Sequence, residues 1–273
     1  MSISCLSSGI TIIRNVKYTL CHINYFSDEI KSAIRENLSK ICYGSLKTST
    51  SRITYNYQNT LREFLDRYEK KSPDTKKGMI GELLTHILLL TYFPEFHVVS
   101  PYFNLEEKSI KKGFDVVLFS IENKELWITE VKSGELHQGK NANETTKQLL
   151  NTAKKDLNKR LNENNNTIWE NAINGAMIAL DQKNDIKDAV LEILGINSDE
   201  ATSINATSTD KNVILVSGLF SSLKDKVEED TVKEISNAFS KEKIFRQIII
   251  FSFQKNTFLK IVDFLIEERD KKI

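Results

Sequence analysis

Cysteine is scarce in this chain: three among 273 residues, at positions 5, 21 and 42, with no CxxC pair. An odd count at wide spacing argues against a disulfide framework and a cysteine-ligated zinc site, and reduced thiols fit the cytosol. Excess charge is missing too. Thirty-eight Lys and Arg stand against 37 Asp and Glu, a formal net charge of +1. Nothing therefore pulls the chain as a whole toward nucleic acid, and any such contact must come from a local patch. The longest apolar runs, such as Ile248 to Phe251, fall far short of the roughly 20 residues a membrane helix needs. No basic start followed by a long apolar stretch reads as a signal peptide. The four histidines (His22, His86, His97, His137) have no HExxH or paired ligand spacing, and no Walker loop, GxGxxG or nucleophile elbow occurs. These absences point away from secreted, membrane, zinc-binding and ATP-driven proteins, and toward a cytoplasmic one with no membrane contact.

What remains is an ordinary globular balance, 40% hydrophobic and 27% charged, enough to build a core. Residues 1 to 50 offer few signals beyond Ser27, an N-cap ahead of an amphipathic stretch from Ile30 to Ile41. Leu61, Phe64, Leu65 and Tyr68 recur at helical spacing, and Pro73-Asp74 ends that run. A helix from near Thr75 to Leu90 is apolar nearly all round after Glu82, as a buried helix is. Strand-like runs follow at Phe96 to Phe103, Phe114 to Ser120 and Leu126 to Lys132, the last two joined by a short polar link and so predicted to pair as an antiparallel hairpin. Then come a helix from about Glu144 to Leu161, helical stretches at Ile168 to Leu180 and Ile186 to Leu194, and a polar segment from Gly195 to Lys211 that reads as a mobile loop. A strand (Asn212 to Ser217), a helix (Ser222 to Phe239), a strand (Arg246 to Phe253) and a helix (Thr257 to Arg269) close the pattern. This order is α/β. It divides into a partly helical N-terminal extension, residues 1–70, and a main domain, residues 71–273, with a helical insertion at about 163–211.

The chemistry concentrates in four residues. Side chains alternate along a strand, so Glu130 and Lys132 share a face and Val131 takes the other. Asp115 lies on the neighbouring strand of the hairpin, within approach of Glu130. Two carboxylates side by side in a half-buried site repel each other, and a hard divalent cation such as Mg2+, which takes one or two carboxylates plus water and phosphate oxygens, relieves that repulsion. Lys132 then stands next to the metal, placed to orient water or steady charge on a phosphoryl group. Glu82 is an expensive lone charge on a buried helix and makes more sense facing the same cation. The bland alternative is a solvated face or a weak ion pair, since E-x-K triplets are common in a charged chain.

This order of features resembles the PD-(D/E)xK nuclease superfamily, in which a helix supplies an acidic residue and an Asp and an E-x-K lie on adjacent central strands. The matching residues are Glu82, Asp115, Glu130 and Lys132; no Pro precedes Asp115, and Gly113-Phe114-Asp115 stands there instead. The segments Lys77 to Leu84, Lys112 to Val117 and Leu126 to Lys132 are similar to those of the HamA family, the nuclease component of the Hachiman anti-phage defence system. The resemblance implies a restriction-endonuclease-like core, a mixed central sheet flanked by helices. It implies a Mg2+-dependent DNase, with Mn2+ as a substitute ion held by Asp115, Glu130 and Glu82. It also implies a heteromeric complex with a superfamily 2 helicase, HamB.

The helix after the E-x-K strand is basic. Lys140, Lys147 and Lys154 repeat every seven residues, with Gln148 nearby; they form a candidate DNA-backbone contact, and an ordinary solvated face is the competing reading. No helix-turn-helix or zinc finger supplies sequence specificity. Two other readings stay open: a catalytically silent docking or DNA-binding module on the same fold, and a restriction-type endonuclease with its own target sequence.

Overall fold

The computed structural model describes residues 2–6, 9–103, 113–180 and 185–271. Its strands are β1 (Ser2–Leu6), β2 (Ile10–Arg14), β3 (Tyr18–Ile23), β4 (Phe96–Val98), β5 (Val116–Ser120), β6 (Glu125–Glu135), β7 (Asn212–Phe220) and β8 (Gln247–Lys255). Among the described residues they form one sheet in the order β1-β2-β3-β8-β7-β6-β5-β4. The centre, β3-β8-β7-β6, is parallel and both flanks are antiparallel. β7 is buried along its whole length, as expected of a central parallel strand covered on both faces.

Helices cover the two faces. On one lie α1 (Asp28–Tyr43), α3 (Tyr57–Glu69), α4 (Pro73–Tyr92) and α9 (Leu259–Asp270), packed on Val116, Leu118, Trp127, Val131, Val216 and Phe253. The short α2 (Ser45–Thr48) follows α1. On the other lie α5 (Ala142–Leu161), α6 (Thr167–Ala179), α7 (Asp185–Thr202) and α8 (Glu229–Glu242), packed on Val117, Ile128, Leu215 and Ile250. The helix starts are written in the sequence. Ser27 Oγ accepts from the N–H of Ile30, Ser72 caps α4 ahead of Pro73, and Asn141 with Glu144 closes a capping box on α5. No helix among the described residues is long and apolar enough to cross a membrane.

The expected mixed sheet flanked by helices and the β5–β6 hairpin are present. Several boundaries differ. The poorly marked N-terminal stretch contributes three strands to the same sheet, because β3 pairs with β8. β3 is buried at every position and so has no period-two signature to read. Strands from both sides of residue 70 thus share one sheet. The Phe96–Phe103 run shortens to β4, Phe96–Val98. The segment expected to be a mobile loop is partly α7, which continues to Thr202. Its polar side chains are used internally: Asn197 donates to Ile193 O at 2.6 Å, and buried Ser208 donates to Ile244 O at 2.7 Å. The helix expected from Ser222 begins only at Glu229. The preceding loop instead wraps buried Gln254, whose Nε2 donates to Asp225 O at 2.7 Å and whose Oε1 accepts from Val227 N at 2.8 Å.

Candidate functional site

The site grows out of the hairpin register. Val116 stands opposite Thr129, so Asp115, one residue before, comes beside Glu130. Leu126 and Ile128 face the α5 side of the sheet, and alternation sends Glu130 and Lys132 the same way. Glu130 is 1% exposed, the burial expected of an apolar strand position.

α5 then closes over this face. Lys132 Nζ lies 2.8 Å from Glu130 Oε1 and 2.9 Å from Asp156 Oδ2. One helical turn on, Arg160 Nη2 bonds Glu130 Oε2, and its Nη1 donates to Gly113 O at 2.9 Å. Asp115 behaves differently. Its carboxylate turns into the strand ladder, where Oδ2 accepts from the N–H of Val131 at 2.7 Å and continues the pairing past the end of β5.

The electrostatics follow from this crowding. Burial, then the charge of Asp115, pushes the Glu130 carboxyl up to about 7, against the pull of Arg160 and Lys132. Burial works against the Lys132 ammonium, but Glu130 and Asp156 outweigh it and raise Lys132 above the ordinary lysine value. Lys132 is therefore a fixed cation and donor. With all three carboxylates ionised, Asp115, Glu130 and Asp156 against Lys132 and Arg160 leave one negative charge in the cluster.

Glu82 sits elsewhere. α4 packs on the sheet face opposite α5. A Cβ at Gly81 would overlap Ser133 Oγ and Cβ, so glycine there lets the helix backbone lie directly against β6. Glu82, next along, is half-buried. Its charge and that of Asp115 both reach Tyr102, which burial first and then Glu82 push well above the usual tyrosine value. Tyr102 Oη donates to Met79 O at 3.1 Å. Among the described residues no three His, Cys, Asp or Glu side chains are grouped to hold one ion. The structure thus brings Asp115, Glu130 and Lys132 together and leaves Glu82 on the α4 side.

Asp115 and Glu130 fit a hard divalent cation by donor chemistry. They are oxygen ligands only, one is destabilised as an anion by the other, and the cluster retains a negative charge. Two carboxylates are a sufficient protein contribution for Mg2+, which keeps several waters.

The candidate DNA contacts separate. Lys147 is exposed and Lys140 half-exposed, whereas Lys154 is tied to α8, 2.6 Å from Glu242 and over the Phe239 ring. Gln148 Oε1 bonds His137 Nδ1. Four-residue spacing along α5 puts Gln148, Asp156 and Arg160 on one stripe. His86 is buried with its ring edge-on to Tyr102 at 5.8 Å.

Two site residues escaped the sequence reading, Asp156 and Arg160. The available signal was their i,i+4 spacing on a helix that directly follows an E-x-K strand. Such a pair also reads as a solvated helix face.

The family model described as HamA matches residues 5–268. No curated protein matches the chain.

Proposed function

Since this chain belongs to the HamA family, and is thus a component of the Hachiman defence system, we propose that it is a metal-dependent DNA nuclease with a PD-(D/E)xK core. The observation that carries the reading is Glu130. It is a carboxylate buried to 1% exposure beside a second carboxylate, Asp115, and forced up to about 7. Strong destabilisation of a charge by burial and by a like charge is characteristic of functional sites.

Asp115 and Glu130 would hold Mg2+, or Mn2+ in its place; Glu82, across the sheet on α4, is not grouped with them to share that ion. When bound, the ion supplies Lewis-acid chemistry at a phosphodiester and lowers the pKa of water. Lys132 does the rest of the electrostatic work. Held protonated by Glu130 and Asp156, it donates to phosphoryl oxygens and stabilises their growing charge. Asp115 fixes the local backbone through Val131 N–H, so the strand end and the carboxylate are oriented together.

Lys140 and Lys147 are the candidate backbone contacts, and Lys154 is the weaker choice because of Glu242. A net charge of +1 gives little affinity for DNA, which favours action inside a complex with a superfamily 2 helicase that restrains or triggers cleavage. One observation favours the silent-module alternative: both Glu130 oxygens are bonded by cations.

The test is cleavage of plasmid and linear DNA by the chain with its helicase partner and Mg2+. Glu130→Gln and Lys132→Ala should each lose at least ~100-fold in rate, the scale of removing a transition-state charge contact. Equal cleavage by parent and variants would sink the assigned site. Rapid plasmid degradation by the chain alone at physiological salt would overturn the idea of partner restraint.

A further inference from the structure

Arg160 sits where an ion would. One arm of its guanidinium donates to Gly113 O at 2.9 Å and the other bonds Glu130 Oε2. Lys132 takes Oε1 at 2.8 Å. With a cation on each oxygen, two of the roughly four acceptor sites of the Glu130 carboxylate are taken, one on each oxygen. Those oxygens are the ones a divalent cation would use.

The two cations are not equivalent. Lys132 comes from the same strand as Glu130, two residues on, and is also anchored by Asp156 at 2.9 Å. Arg160 reaches across from α5 on a long side chain that remains 27% exposed. It also has a second partner within reach: Asp156 lies four residues earlier on the same helix, the spacing at which side chains meet. Releasing Glu130 therefore need not leave Arg160 uncompensated. With all three carboxylates ionised and Arg160 turned to Asp156, entry of a divalent ion takes the cluster from one negative charge to one positive, so the exchange leaves no large charge imbalance.

We propose that Arg160 is the resident counter-ion of Glu130, a lock that a divalent cation must displace to occupy the Asp115–Glu130 pair. The inference rests on the metal-dependent reading above and adds how that site is kept closed in the free chain.

Mn2+ binding to the full chain without DNA tests this, read from loss of the free-ion electron paramagnetic resonance signal. Parent, Arg160→Gln, Arg160→Lys and Asp115→Asn are compared at one pH, with thermal melts as a check on folding. Arg160→Gln should bind Mn2+ at least about tenfold more tightly than the parent, the scale of one lost charge-assisted hydrogen bond. Arg160→Lys keeps the charge without the two-armed reach and should fall between. Asp115→Asn should abolish the binding. Asp115-dependent binding in the parent that is unchanged or weakened in Arg160→Gln overturns the lock and leaves the metal reading standing. Absence of Mn2+ binding in both parent and Arg160→Gln overturns both. If Arg160→Gln does not fold, Arg160→Lys decides: tighter binding upholds the lock and unchanged binding overturns it.

Discussion

Glu130 and Glu268 make a natural pair. Both are glutamates buried in the fold, 1% and 4% exposed, and both are gripped by two basic side chains. Glu268 receives the Arg35 fork, Nε at 2.8 Å on one oxygen and Nη2 at 3.1 Å on the other, with Lys271 beside it. Arg35 above all, against the effect of burial, holds Glu268 down at about 2. Glu130 goes the other way, up to about 7, because it is more deeply enclosed and Asp115 stands next to it. The grip alone does not distinguish the two places. The neighbouring like charge does: one cluster is satisfied and fastens α9 to α1, the other is held in conflict, as sites of chemistry are.

The largest expected effect separates the two glutamates by activity. Glu130→Gln should lose at least ~100-fold in partner-supported DNA cleavage, while Glu268→Gln should cleave like the parent per folded molecule. Similar losses in both would erase the distinction. Stability should reverse the order. Glu268→Gln removes a buried charge whose partners Arg35 and Lys271 are 39% and 61% exposed, and should cost about 1–3 kcal/mol in urea unfolding, whereas Glu130→Gln should cost clearly less, since it also removes a repulsion.

Acidity sharpens the contrast further. Glu268, with a folded value of about 2 below its unfolded value of about 4.3, contributes stability that is present above the unfolded value and lost as pH falls toward 2. Glu130, with a folded value of about 7, contributes stability that is present below the unfolded value and lost as pH rises through 7. Urea midpoints from pH 3 to 8 should therefore show the Glu268→Gln deficit shrinking toward acid. Over the same range Glu130→Gln should improve relative to the parent between about pH 4.5 and 7. Parallel profiles would refute the opposing shifts. The smallest effect concerns the wall between the two sides of the site. Gly81→Ala should cost about 1–3 kcal/mol through overpacking against Ser133, and Ser133→Gly in the same chain should recover much of it.

Asp115, Glu130 and Lys132 were legible in the sequence for a local reason. A short link, residues 121–124, fixes the hairpin, and a strand's period of two then fixes the face. Glu82 was legible as a buried-helix acid, but not the face of the sheet on which its helix lies, because that depends on Gly81 meeting Ser133 from another element. Arg160 and Asp156 were hidden by their helix, where charges four apart usually mean a wet surface. The polar segment around Asn197 and Ser208 was misread because composition records polarity and not whether a polar group has found an internal partner. β2 and β3 escaped because their place in the sheet is decided by a distant strand.

That distant pairing has a temporal side. Tyr18 to Ile23 lie in register with Ile250 to Lys255, more than two hundred positions later in the chain. On a ribosome β3 emerges early and waits, its edge open, until β8 exists. Contacts so far apart in sequence form slowly. A polypeptide interrupted before Gln247 carries the E-x-K triplet but not the strand that joins β7 to β3. The sheet that carries Glu130 is therefore joined from β7 to β3 only once β8 has been made, so the surroundings of the candidate site depend on a strand synthesised long after the E-x-K triplet itself.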